Sequence, residues 1–397
     1  MNPTPKVSPM THAPLPRLRA TLLAAGAALA FTAAASAEEH STDHHSAVSE
    51  VIAEGLEHPW ALAFLPDGRY LVTERNPGSI RIGDADGGLS EPIGNVPDIF
   101  RYEGPLERSQ GGLFDIKLHP DFAENQQVYI SFSAPTDRGA APTISRARLV
   151  EDADDGTASF EDVETIFQMA EDGQDSAGAH FGGRMAIDPD DGSIYLTIGD
   201  RRDMSRSQDA DDQAGAIIRV TSDGEAHSDN SVDGDGYIHS YGHRNSQGLA
   251  FDADGQLWAN EHGQLGGDMI QRIEGGLNYG WPMLSAGPDY SGAPLGVGTE
   301  HEGMETAFHY FDETVAPSGM VFYSGDAFPE WEGDQLHGAL YGESIVRVRT
   351  SDGEVDEEEW MFTGIGRVRD IQIADDGAVW IVTDAEDGQV IRISSGD

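Results

Sequence analysis

Trp60-Ala-Leu-Ala-Phe-Leu-Pro-Asp-Gly-Arg-Tyr-Leu-Val-Thr-Glu74 decides the fold. An apolar strand enters a Pro-Asp-Gly turn, and an alternating strand leaves it. The turn residues supply the tight connection, and the alternation gives a half-buried hairpin. The pattern returns as Phe114-Asp-Ile-Lys-Leu-His-Pro-Asp121 with Val128-Tyr-Ile-Ser-Phe132. Met185-Ala-Ile-Asp-Pro-Asp190 with Ile194-Tyr-Leu-Thr-Ile198 is the third copy, and Leu249-Ala-Phe-Asp-Ala-Asp-Gly-Gln-Leu-Trp258 the fourth. The last clear copy is Ile371-Gln-Ile-Ala-Asp-Asp-Gly-Ala-Val-Trp-Ile-Val382. Copies recur roughly every 55–70 residues, with one gap about twice as long. A degenerate copy, Ser318-Gly-Met-Val-Phe-Tyr-Ser324, fills that gap. Six units, 48 glycines and no long amphipathic helix predict an all-β chain folded as a six-bladed β-propeller. A pair of β-sandwiches is the structural rival, and the regular repeat counts against it.

The chain has 397 residues, enough for one large all-β domain or two smaller ones. Residues 1–37 carry Lys6, Arg17 and Arg19 and no acid, then an apolar run from Thr21 to Thr32, then Ala-Ala-Ala-Ser-Ala. That is the order of a cleaved signal peptide. The run falls short of the roughly 20 residues a spanning helix needs, and no later segment could cross a membrane. Residues 38–50, with His40, His44 and His45, read as a disordered acidic leader, so structure is expected from Val51 (residues 51–397). Three histidines could also hold a metal. There is no Cys, so stability in an oxidising compartment rests on a core.

Formal net charge is −46, with 70 acids against 24 Lys and Arg. Such a field excludes nucleic acid and anionic membranes as partners. The acids are spread along the chain, as on a surface solvated in high salt; this suits a halophilic, periplasmic or secreted protein.

In a propeller, loops at one end of every blade meet around the axis. Ser-Gln-Gly-Gly-Leu (109–113), His-Phe-Gly-Gly-Arg (180–184), Tyr-Gly-His-Arg-Asn-Ser-Gln-Gly-Leu-Ala-Phe (241–251), Asn-Glu-His-Gly (260–263) and Gly-Arg-Val-Arg-Asp (366–370) all flank repeat strands. They are therefore expected to form one site. His180 is a candidate general base or a structural histidine. Arg244, next to Asn245, offers a planar fork for a carboxylate or a developing oxyanion. Arg367 and Arg369 alternate, so their charges share one face and favour an anion between them. Gln110 is placed to hydrogen-bond a ligand carbonyl. The turn at Gly263 and Gln264 exposes carbonyls of the kind Ca²⁺ accepts.

At these residues the chain resembles the soluble quinoprotein sugar dehydrogenases, the glucose/sorbosone and aldose sugar dehydrogenase family. The resemblance spans about Gly55 to Ile393, and includes Gly-Gly-Leu-Asn-Tyr-Gly-Trp-Pro (275–282) and Val-Ala-Pro-Ser-Gly-Met (315–320). It implies a six-bladed propeller that binds pyrroloquinoline quinone (PQQ) and Ca²⁺ and oxidises aldoses to lactones, passing electrons to a soluble or membrane carrier. It implies His180 as the base and Arg244 as the group that stabilises charge on the quinone oxygen. Gln110, Asn245, Arg367 and Arg369 match positions that contact PQQ; the carbonyls of Gly263 and Gln264 match the Ca²⁺ site. Two positions depart. Tyr341 stands where the family commonly has Lys, and Gln-Leu-Gly-Gly-Asp-Met (264–269) replaces the usual Pro-Arg-Gly-Gly-Asp-Glu. Weaker cofactor binding, or a different redox partner, is expected from them. Two other classes remain, a calcium-dependent sugar lactonase and a non-catalytic propeller that binds carbohydrate or a partner.

Overall fold

The computed structural model describes residues 37–102, 109–152, 154 and 156–396. The expected signal segment lies almost wholly outside the described residues. The chain begins with a hairpin, β1 (Glu38–Ser41) and β2 (Ser46–Leu56). Blade one is β3 (Pro59–Phe64), β4 (Tyr70–Glu74) and β5 (Ser79–Gly83). Blade two is β6 (Leu113–Leu118), β7 (Gln127–Thr136), β8 (Gly139–Asp152) and β9 (Thr157–Gln168). Blade three is β10 (Met185–Ile187), β11 (Ile194–Ile198), β12 (Ala216–Val220) and β13 (Ile238–Tyr241). Blade four is β14 (Ser246–Phe251), β15 (Leu257–Glu261), β16 (Met269–Ile273) and β17 (His309–Tyr310). Blade five is β18 (Pro317–Phe322), β19 (Gln335–Ala339), β20 (Ser344–Ser351) and β21 (Glu354–Met361). Blade six is β22 (Val368–Ile373), β23 (Val379–Thr383) and β24 (Gly388–Ser395), completed by β2 and β1.

The six repeat copies supply the first strands of the six blades. These first strands lie side by side in the order β3, β6, β10, β14, β18, β22 and back to β3. That is a closed six-bladed propeller. Its seam is β2 paired antiparallel with β24, from Ala47–Ser395 to Leu56–Gly388. The N-terminal strand thus finishes the last blade and leaves fewer open edges.

Residues 38–50 are not a disordered leader. Acidic and histidine-rich composition hides an edge strand here. His40 bonds Ser49 (2.7 Å) across the hairpin. His45 packs edge-on against Phe328 and Trp331 and pairs with Glu330 (2.5 Å). Ala47 is fully buried in the seam cluster with Leu336 and Ile393.

Each blade is apolar on both faces because it packs between two neighbours. Trp60, Leu71 and Ile80 of blade one join Phe114, Ile116 and Ile130 of blade two in one cluster. Polar groups on the axis are paired. Arg184, 2 % exposed, spans the centre: its guanidinium donates to Asp370 (2.8 Å) and the Gln247 carbonyl (2.9 Å) and lies 4.2 Å over the Trp60 ring. Asp370 also accepts from Leu62 N (3.0 Å). A buried charge is tolerated only with such partners.

Candidate active site

A cavity of about 420 Å³ opens at the axis end where β3, β6, β10, β14, β18 and β22 begin. Gln110, His180, Arg244, Asn245, Arg367 and Arg369 all border it. Gly263 and Gln264 do not; their neighbour His262 does.

His180 sits between β9 and β10 with φ 54°, a left-handed conformation that is uncommon for a side-chain-bearing residue. Gly182 and Gly183 follow at positive φ, and a Cβ on Gly182 would lie 2.3 Å from the Thr197 carbonyl. Only glycine lets the chain turn that closely. The strained imidazole is held on both sides. Its backbone N–H donates to Gln110 Oε1 (2.8 Å), and its Nδ1 bonds Asp200 Oδ1 (2.6 Å). Asp200 in turn accepts from Trp281 Nε1 (2.9 Å) and Arg202 N (2.8 Å). With Nδ1 engaged, Nε2 is left as the basic nitrogen. Burial pushes the imidazole below its ordinary pKa; Asp200 offsets this in part, and the Arg244 charge adds to the fall.

Arg244 and Asn245 lie in the short link from β13 to β14. Glu261, at the end of β15, accepts from the Arg244 and Asn245 backbone N–H groups. The Arg244 side chain donates to Tyr290 Oη (3.0 Å) and to Gln264 Oε1 (3.5 Å) and lies 5.5 Å from the Trp281 ring. Asn245 Oδ1 accepts from Gly182 N (3.1 Å), so its amide also fixes the His180 loop.

Arg367 immediately precedes β22, and Arg369 is the residue left at the bulge between Val368 and Asp370. No carboxylate of the described residues lies between the two guanidiniums. Arg369 pairs with Asp384 (2.5 Å), while Arg367 is exposed and donates to the Leu340 carbonyl (2.9 Å). Arg369 Nε is buried and finds no partner among the described residues, so this guanidinium has a donor in reserve. Tyr341, 65 % exposed, is also on the cavity wall.

Gly263 N donates to Asp268 Oδ1 (2.8 Å), and Asp268 Oδ2 accepts from Val315 N and Ala316 N. The Asp268 carboxylate is thereby consumed by the turn, and the turn offers neutral carbonyl oxygens. Among the described residues, Asp43, Glu357 and Glu359 are close enough to share an ion, but they lie on the β1–β2 hairpin and β21, where Arg347 pairs with both glutamates.

Several site residues carried no role in the sequence reading. Asp200 and Trp281 lie inside motifs quoted above, and only folding pairs them. Arg201 staples the 175–180 segment: its guanidinium donates to the carbonyls of Ala177 and Ala179 (both 2.6 Å) and lies 3.6 Å over the Phe181 ring. Arg75, His58 and Asp384 complete the wall. His58 Nδ1 bonds Asp384 Oδ1 (2.6 Å) across 326 residues.

Solved structures share this architecture. The soluble aldose sugar dehydrogenase from Escherichia coli, in its apo form, superposes with a TM-score of 0.80 at 34 % identity, covering 88 % of this chain and 99 % of that one. The PQQ-bound aldose sugar dehydrogenase from Streptomyces coelicolor gives 0.71 at 28 % identity, over 91 % and 100 %. In sequence, the aldose sugar dehydrogenase YliI of Escherichia coli K12 is 36 % identical over 354 residues, 87 % of this chain and 92 % of that protein. The profile of the Glucose / Sorbosone dehydrogenase family matches residues 56–392. With a closed six-bladed propeller and these motifs around its axis, the chain belongs to the Glucose / Sorbosone dehydrogenase family.

Proposed function

We propose that this protein is a PQQ- and Ca²⁺-dependent aldose dehydrogenase that oxidises sugars at C1 to lactones. One observation carries the reading. In a chain of net charge −46, the described residues of the cavity wall include four arginines (Arg75, Arg244, Arg367, Arg369) and a single carboxylate, Asp384, beside a buried histidine–aspartate pair. Cations gathered on one cavity wall against the general charge favour binding of an anion there.

The residues present fit PQQ. Arg369 has an unused buried donor, Arg367 is exposed at the rim, and Gln110 and Asn245 bring amides to the same cavity. Arg367 and Arg369 would hold its carboxylates. Tyr341 offers a neutral phenol where the family has a cation, so the charge is matched by arginine alone. The neutral carbonyls of Gly263 and Gln264 would hold Ca²⁺, a hard ion suited to oxygen donors. When bound, PQQ supplies the two-electron acceptor for the hydride leaving C1.

The chain's own part is proton and charge control. His180 Nε2 takes the proton of the anomeric hydroxyl. Asp200 fixes the tautomer and stabilises the imidazolium that forms. Arg244, on the cavity wall and steadied by Tyr290 and Gln264, would stabilise negative charge developing on the bound cofactor. A lactonase would need acidic metal ligands at the cavity, and the one carboxylate among its described lining residues, Asp384, is bound by Arg369 and His58. The signal-like order of residues 1–37 supports a periplasmic or secreted enzyme and the acidic surface a high-salt setting, with a soluble or membrane carrier taking the electrons. No helix among the described residues is long and apolar enough to cross a membrane.

The test is reconstitution with PQQ and Ca²⁺ in high salt, followed by dye reduction with a panel of aldoses. Reduction that requires PQQ and is lost in His180→Ala is expected. Failure to bind PQQ at micromolar concentration would sink the reading and favour a carbohydrate-binding propeller.

A further inference from the structure

The long connection from β16 to β17 (274–308) places two of its aromatic side chains against residues of the site, Trp281 against Asp200 and Tyr290 against Arg244. Trp281 is buried and serves Asp200. Tyr290 is built differently. It occupies the corner of a tight turn in which Gly292 N donates to the Asp289 carbonyl (2.7 Å) and Ser291 N to Asp289 Oδ1 (2.8 Å). Gly292 has φ +82°, a conformation that glycine adopts freely. The tip is tied to the supporting turn where Asp289 Oδ2 accepts from Gln264 Nε2 (2.8 Å). The Tyr290 hydroxyl accepts from Arg244 Nη2 (3.0 Å), yet the residue is 58 % exposed.

Core packing does not account for an aromatic ring left this open. Exposed large apolar side chains are few among the described residues: Val163, Leu265, Met283, Tyr290, Val297 and Tyr341. Of these, Tyr290 touches Arg244, Leu265 neighbours Gln264 in the supporting turn, and Tyr341 lines the cavity. An aromatic ring with one polar tip suits a ligand with an apolar face and hydroxylated edges. A pyranose has that form.

We infer that Tyr290 is a substrate-positioning residue. Its ring forms the platform for the C–H face of the aldose, and its hydroxyl keeps the Arg244 guanidinium turned toward the reacting oxygen. The inference rests on the dehydrogenase reading above.

The two parts of the side chain separate in kinetics. Tyr290→Phe keeps the platform and removes the hydroxyl: KM for the aldose stays near wild type and kcat falls about threefold. Tyr290→Ala removes both, and KM rises about tenfold in addition. PQQ affinity, titrated by quenching of intrinsic fluorescence, stays within about twofold of wild type in both variants. An unchanged KM in Tyr290→Ala overturns the platform, as does an equal rise in Tyr290→Phe. A parallel loss of PQQ affinity overturns it too, because the residue would then support the cofactor. A wild-type protein that neither binds PQQ nor oxidises any aldose ends the dehydrogenase reading and this inference together. A working wild type with an indifferent Tyr290→Ala ends only the latter.

Discussion

Two histidine–aspartate pairs flank the cavity, His180 and His58 each lining it, and they are not equivalent. His180–Asp200 and His58–Asp384 each close at 2.6 Å through Nδ1, and both histidines have left-handed backbones, φ 54° and 50°. They differ in what holds the aspartate. Asp200 is otherwise bonded to the Trp281 indole and a backbone N–H, both neutral. Asp384 is bonded to Arg369 (2.5 Å) and Arg75 (3.5 Å), both cations. Burial raises the Asp384 carboxyl, but the Arg369 charge, the His58 bond and the Arg75 charge together outweigh it and hold the group far below the usual carboxylate range. Burial also raises Asp200, and there His180, with the Arg202 N–H and the Trp281 indole, outweighs it. The charge of Asp200 is therefore reserved for an imidazolium, while that of Asp384 is shared among arginines. One pair is built to receive a proton; the other anchors cations where blade six meets blade one.

That contrast breaks first at the histidines. His180→Ala should lower kcat by about 10²–10⁴-fold while PQQ still binds; His58→Ala should cost less than about tenfold. Similar losses in the two variants would erase the distinction. The aspartates should part on stability. Asp384→Ala strands the buried Arg369 charge and should cost about 3–5 kcal/mol in denaturant unfolding. Asp200→Ala leaves a neutral histidine and should cost about 1–3 kcal/mol, yet harm kcat more. The smallest effect lies in pH. Because burial lowers the His180 pKa, the base is already free of its proton in mildly acidic solution. The acid limb of kcat/KM should have its midpoint below about 6.5, with activity lost only as pH falls past it. A midpoint above that value would mean that Asp200 dominates over burial.

The fold was largely legible because the first two strands of each blade carry the turn chemistry and the alternation. Outer strands were less so: β9 and β21 read as runs of acids, since one side of each meets water. The β1–β2 hairpin was misread for the same reason. At the site, Gln110, His180, Arg244, Asn245, Arg367 and Arg369 were found beside strand starts and do meet. Arg184 and Asp370 belong to the same motifs but are used differently, in an ion pair on the axis between residues 186 apart in sequence. Motif membership does not say which way a side chain points.

The sequence by itself determined six β-hairpin units, a strongly acidic surface and a set of cations and amides at blade entrances. Those are local properties, written in alternation, turn residues and composition. Tertiary structure decided that Asp200 backs His180, that Asp384 joins His58 to Arg369, and that Tyr290 reaches Arg244. Each of these contacts forms only when blades close into a ring or a long connection folds back over it, which no short window of sequence records.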